Sequence, residues 1–286
     1  MCCTHIYGKA LFIDTNTFVS NQVLSRPTNQ SITLSIVPKK ALHVYFEYGT
    51  TPFVYTNSTD IKTSQVNVPL RFLISGLSSN TRYYYRIKYK EISASQFTAG
   101  DQCTFITQRP RGSSFKFNLT SDSHLYDKKG IAKMMNITLD NILNDNPDFV
   151  MEMGDTFGDD RNPPLINQQT MMQLHYNFLP YIGRIAHSSP FYFCLGNHEA
   201  ECGYYLNQTP PENLAVWGSL ARKYYYANPY PDGFYTGNNE VEQYGIGQPE
   251  NYYAWEWGDA LFVVLDVYRY ATADPSPGLW DWTIGA

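Results

Sequence analysis

The sequence predicts two units in series, an all-β sandwich followed by an α/β domain. Three observations lead there. Residues 26–108 hold short runs rich in β-branched and aromatic residues, parted by turn-forming stretches. A polar stretch containing Pro and Gly, QRPRGSS at 108–114, interrupts that pattern. Beyond it, apolar runs of strand length alternate with longer runs of helical spacing, the mark of a sheet covered by helices.

Taken in order, residues 1–25 are an N-terminal segment. The sandwich strands follow as SITLSIV, LHVYFEYGT, PLRFLISGL, RYYYRIKY and QCTFITQ, with VPKK, TNSTD and SSNT as turns between them. Residues 109–114 are the linker, and residues 115–286 are the second domain. There FKFNLT (115–120) reads as a strand. Residues 128–146 read as a helix, with Ile131, Met134, Met135, Leu139, Ile142 and Leu143 on one face. DFVMEMG (148–154) is the second strand, 167–186 a helix interrupted by Pro180, and PFYFCLG (190–196) the third strand. A helix is expected near 211–224, and NYYAWEWGDALFVVLDVY reads as two strands turning at Gly258-Asp259.

Composition excludes several classes. With 43% hydrophobic and 16% charged residues the chain is globular rather than disordered. A net charge of -5 with no basic stripe argues against a nucleic-acid scaffold. No apolar run approaches the ~18 residues of a membrane span. The first residues, MCCTHIYGKALFIDT, lack the charged start and long apolar run of a signal peptide, which places the protein in the cytosol or its true start upstream. The five cysteines, Cys2, Cys3, Cys103, Cys194 and Cys202, are too few and scattered for a disulfide framework. Cys194 and Cys202 could meet across their loop; a buried free Cys194 with a surface Cys202 is the favoured reading.

Ligands of α/β sheets sit beyond the carboxyl ends of the strands, so the residues after each strand matter most. Ser121-Asp122-Ser123-His124 follow the first, Gly154-Asp155-Thr156-Phe157-Gly158-Asp159-Asp160 the second, and Gly196-Asn197-His198-Glu199 the third. Asp122 and His124, two residues apart, would point the same way on extended backbone and could grip one ion. Asp155 has two oxygens and could bridge to a second ion, to which Asn197 offers a carbonyl oxygen. His198 could then stay unligated as a general acid. Two metals about 3.5–4 Å apart would clamp an in-line displacement at phosphorus and supply hydroxide from bound water. Each motif alone is weak; the three in this order, each at a strand end, point to a metal site. His175 sits on an apolar helix face and reads as packing. So do the aromatics of the 200–250 segment, Tyr204, Tyr205, Trp217, Tyr224, Tyr225 and Tyr226, although they could wall a cleft.

These motifs resemble the calcineurin-like metallophosphoesterase superfamily, with its D-x-H, GD and GNH-[DE] elements. VLSRPTNQSITLSIVPKKALHVYFEYGTTP and LSSNTRYYYRIKY resemble the fibronectin type III-like N-terminal domain of purple acid phosphatases, the second stretch through its tyrosine corner. The resemblance implies an αββα sandwich, here incomplete, and two divalent or trivalent metal ions drawn from Fe, Zn and Mn. It implies that Asp122 and His124 hold the first metal, Asp155 bridges, Asn197 holds the second and His198 assists the leaving group. The implied substrate is a phosphate ester, cleaved as by an acid phosphatase, and the implied location is extracellular or periplasmic. Asp159, Asp160 and Glu199 are candidates for supporting the metal ligands.

Two departures qualify the match. Gly158 stands where purple members carry Tyr, so a colourless site is expected. No His follows His198, although the family completes its site with later His motifs. The expectation is therefore a C-terminally truncated piece that binds metal weakly and turns over poorly. The alternatives are a phosphodiesterase or nucleotidase of the same superfamily, or a cell-surface binding protein with a vestigial metal site.

Overall fold

The computed structural model describes residues 14–125, 130–157 and 166–272. Its first half contains strands β1 (Val23–Ser25), β2 (Ser31–Ile36), β3 (Leu42–Gly49), β4 (Asn57–Ser58), β5 (Lys62–Thr63), β6 (Leu70–Ser75), β7 (Arg82–Glu91), β8 (Thr98–Ala99) and β9 (Cys103–Ile106). One sheet runs β1-β2-β6; the other is centred on the long antiparallel pair β3 and β7, with β4 and β5 against β3 and with β8 and β9 against β7. Alternation along these strands buries Ile32, Leu34, Val44, Phe46, Phe72, Tyr85 and Phe105 between the two sheets. The sandwich takes in residues that the sequence pattern assigned to the N-terminal segment. β1 pairs with β2, and Phe18 is fully buried in the same core. Three residues are too short a strand to show a period, so sequence alone missed β1. At one corner the Tyr83 hydroxyl accepts from the Ser78 N–H at 2.9 Å.

The second half begins with a parallel sheet of β10 (Phe117–Thr120), β11 (Phe149–Glu152) and β12 (Phe191–Phe193). Between them run α1 (Ala132–Asp145) and α2 (Gln168–Ala186). Helix α1 buries Met135, Leu139 and Ile142, one stripe of its surface, and stops at Asn146 in the left-handed conformation. A reciprocal pair of hydrogen bonds between Asn167 and Thr170 opens α2. The helix then runs unbroken through Pro180, contrary to the expected interruption. Pro180 lies on the exposed face while Phe178, Leu179 and Ile182 are buried around it, so packing outweighs the ~3 kcal/mol that a helical Pro costs.

The short α3 (Gly203–Leu206) and α4 (Leu214–Tyr225) follow, the latter capped by Asn213. A second sheet then forms from β13 (Thr236–Gly237), β14 (Tyr253–Trp257) and β15 (Ala260–Val264), the last two joined by the expected Gly258 turn. It stacks on the parallel sheet through Phe149, Met151 and Tyr192 against Tyr253, Trp255 and Trp257. The helices cover the other face, where Val150, Phe191 and Phe193 meet Leu139, Phe178 and Ile182. The outer face of β15 leaves Leu261 and Val263 exposed.

The two halves are fastened together. Val19, Val23 and Val37 enter the helix-side core, and the Tyr85 hydroxyl donates to the His187 carbonyl at 2.6 Å. The 109–114 stretch is anchored as well, since Arg109 pairs with the buried Asp148, which also accepts from the Trp257 indole at 3.1 Å. Cys103, Cys194 and Cys202 are all buried. Cys202 is therefore not at the surface, because its loop folds under the site and brings its sulfur 3.5 Å from the Asn197 carbonyl.

Candidate metal centre at three strand ends

The parallel register sets the site. Thr120 lies beside Glu152 and Glu152 beside Phe193, so the three loops leave the sheet at one level. Pairing continues past the strands: Asp122 N–H donates to Gly154 O at 3.0 Å, His124 N–H to Asp155 O at 3.1 Å, and Leu125 N–H to Thr156 O at 3.0 Å. The backbone is not extended there. Asp122 (φ 58°), His124 (φ 41°) and Asp155 (φ 56°) all lie in the left-handed region. Asp122 and His124 consequently do not project in parallel as expected. The Asp122 side chain stays 65% exposed while His124 turns inward, and His124 Nε2 lies 3.9 Å from Asp122 Oδ1.

Two glycines make this crowding feasible. A Cβ on Gly154 (φ 98°) would stand 2.1 Å from the Gly196 nitrogen, and one on Gly196 would stand 2.3 Å from Asp155 Oδ1. With both bare, His198 N–H donates to Asp155 Oδ1 at 3.0 Å. One ligand atom each from His124, Asp155 and His198 fall within 4.8 Å of one another. The two imidazole rings meet edge to face with centroids 5.3 Å apart. The Asn197 amide lies 3.2 and 3.3 Å from the two Asp155 oxygens and 3.2 Å from His198 Nε2. Turned one way it donates to Asp155. In that orientation its oxygen accepts from His198 Nε2, so the amide ties the carboxylate to the imidazole. Two imidazoles, carboxylates and an amide oxygen form a donor set that suits Zn, Mn or Fe.

Glu199 is not at the surface of the site but beneath it, 1% exposed. It accepts from the backbone N–H groups of Asp155 (2.9 Å), Thr156 (2.6 Å) and Gly196 (2.6 Å), binding the second and third loops together. Burial pushes its carboxyl up to about 8, the Asp155 charge adding to the rise while the three N–H groups oppose it. Asp159 and Asp160 lie outside the described residues. His175 packs as expected, 1% exposed beside Phe157, Phe193 and Tyr226, and burial lowers its imidazole to about 3. Tyr205, Tyr225 and Tyr226 are buried in the cores rather than walling a cleft. A cavity of about 290 Å³ opens beside Asp122, with Thr120, Ser121, Ser123, Met134 and Thr138 among its lining residues.

The sequence pattern did not flag Glu152, the last residue of β11, which is also 1% exposed and touches Thr120 and Thr156. Its signal was a carboxylate closing an otherwise apolar strand, two residues before Gly154 of the Gly-Asp motif. Tyr268 packs against the core that holds Cys202 and Tyr205, and burial, then the Asp155 charge, raises its phenol.

The calcineurin-like phosphoesterase family matches residues 115–277, the whole stretch that builds these strand ends. The chain belongs to that family. A structure of PhoD is similar, with a TM-score of 0.61 and 15% identity over 91% of this chain and 53% of that one. A purple acid phosphatase from yellow lupin (Lupinus luteus) seeds is similar too, with a TM-score of 0.59 and 13% identity over 85% of this chain and 43% of that one. At such identities the likeness speaks for the fold alone. The chain spans about half the length of these two structures. A search of curated proteins finds no match to it. Among the described residues no helix is long and apolar enough to cross a membrane.

Proposed function

We propose that the chain carries the metal site of a binuclear phosphoesterase of the acid-phosphatase type, acting on phosphomonoesters. The observation that supports it most is the convergence of His124, Asp155 and His198, with the Asn197 amide against Asp155, from three separate loops. In this reading Asp122 and His124 would hold one cation, Asp155 would serve both and Asn197 would hold the other. His198, its ring against that of His124, would orient the phosphate and protonate the leaving group. Two cations, when bound, neutralise charge developing at phosphorus and acidify water. The cavity beside Asp122 receives the alcohol portion of the ester.

Residues 26–108 form in this reading a fibronectin type III-like module, supported by the two sheets and the Tyr83 corner, with 109–114 as the joint. An extracytoplasmic location belongs to the same proposal.

Titration of the chain with Mn²⁺, followed by calorimetry, is the test. Saturable binding is expected, weakened at least about tenfold by Asp155→Asn. Hydrolysis of an aryl phosphate by this chain should be slow, because among the described residues three side chains serve the first cation and two the second. Equal Mn²⁺ affinity in Asp155→Asn would refute the reading.

A further inference from the structure

Glu152 is a buried carboxylate at the end of an apolar strand, and none of the roles above uses it. Burying such a group costs several kcal/mol unless hydrogen bonds compensate it. Its partners are hydroxyls from two other places in the chain. The Thr120 hydroxyl, at the end of β10, donates to Oε2, and the Thr156 hydroxyl donates to Oε1 at 3.4 Å. Thr156 uses its backbone N–H for Glu199, which also holds Gly196. The result is a continuous chain, Thr120, Glu152, Thr156, Glu199, Gly196, crossing the ends of all three parallel strands just below the metal ligands. Thr120 precedes Asp122 by two residues, and Thr156 follows Asp155 directly.

We infer that Glu152 is a positioning residue, setting the separation of the Asp122 segment from the Asp155 loop and thereby the cation affinity of the site. This rests on the metal-site reading above. An apolar residue would pack in the same strand but would leave the end of β10 joined to the Asp155 loop by backbone bonds alone, with no side-chain tie beneath them. Burial, aided by the Asp122 charge and opposed by the two threonine hydroxyls, raises the Glu152 carboxyl to about 7, so charge at the ligand level is felt at this depth.

The test is Mn²⁺ calorimetry on the full chain and four variants: Glu152→Gln, Thr120→Val, Thr120→Ser and Asp155→Asn. Thr120→Val keeps the shape and loses the tie to β10, while Glu152→Gln keeps the shape, removes the charge and leaves one acceptor oxygen for two hydroxyls. Each should weaken Mn²⁺ binding by about 10–100-fold, with the melting temperature in the metal-free state little changed. Thr120→Ser, which restores the hydroxyl, should restore affinity, a rescue that a packing role alone would not produce. If Glu152→Gln and Thr120→Val bind Mn²⁺ as the parent does while Asp155→Asn does not, Glu152 is structural only and the metal site stands. If Asp155→Asn also binds as the parent does, both readings fall. Should Glu152→Gln fail to fold, the Thr120 pair decides the matter alone.

Discussion

Glu199 and Glu201 are two residues apart, both almost fully buried, and electrostatically opposite. On the core side of the loop, Glu201 meets Arg222 through Nε (2.6 Å) and Nη2 (3.0 Å) and also accepts from the Ser219 hydroxyl at 2.8 Å. Burial acts against its charge, but Arg222, with Arg269 nearby, outweighs burial and holds the carboxyl below its usual range. On the site side, Glu199 accepts from backbone N–H groups and its carboxyl rises to about 8. The core side is neutralised by the chain's own guanidinium groups. The site side sets Glu152 and Glu199 beneath Asp155 with hydroxyl and backbone N–H donors and no guanidinium, and burial holds both glutamates toward their neutral forms. One loop is thus locked by ion pairs at its base and held by neutral donors at its tip.

The largest effect should come from breaking the locked side. Arg222→Met leaves Glu201 buried without its partner and should cost about 3–5 kcal/mol of stability, read by urea denaturation. The double variant Glu201→Met/Arg222→Met should recover most of that loss, because an apolar pair of similar volume replaces the ions. A single-variant loss that the double variant does not recover would show that Arg222 acts through its bonds to the Pro249 and Glu250 carbonyls instead.

A smaller effect sharpens the contrast through pH. The folded-state carboxyl of Glu152 sits at about 7, above its ordinary value, so the metal-free folded state binds the proton more tightly than the unfolded chain. Its contribution is complete below the unfolded pKa and is lost as pH rises through the folded one, ~3 kcal/mol at most. Thermal melts between about pH 5 and pH 9 should show that decline in the parent and a flatter profile in Glu152→Gln. Glu201 works in the opposite sense, stabilising above its unfolded pKa and losing that contribution as pH falls through its lowered folded one. A parent profile as flat as that of Glu152→Gln would remove the contrast between the two sides.

The smallest change should follow from Glu199→Gln. The amide keeps one acceptor oxygen for three N–H donors, so a cost of about 1–3 kcal/mol is expected in denaturation, well short of Arg222→Met. Stability losses equal in the two variants would mean that the loop's base and tip are held alike.

Much of this architecture follows from local pattern. β2, β3, β6 and β7 alternate visibly, α1 and α2 carry their apolar stripes, and the Asp-x-His, Gly-Asp and Gly-Asn-His-Glu motifs stand at strand ends because the apolar runs stop there. Periodicity is a property of neighbours in the chain, and these features need no others. The remaining features depend on residues far apart. Nothing near Glu152 marks it as buried against Thr120, 32 positions away; the parallel register of β10 and β11 decides that. The pairing of Glu201 with Arg222 needs α4 to return beneath the loop. The left-handed turns at Asp122 and His124 arise because their N–H groups must follow the carbonyls of Gly154 and Asp155. Sequence named the candidate donors and the strand ends that carry them. Tertiary structure alone set their directions and the charge states of the glutamates beneath them, since both depend on which groups share a low-dielectric space.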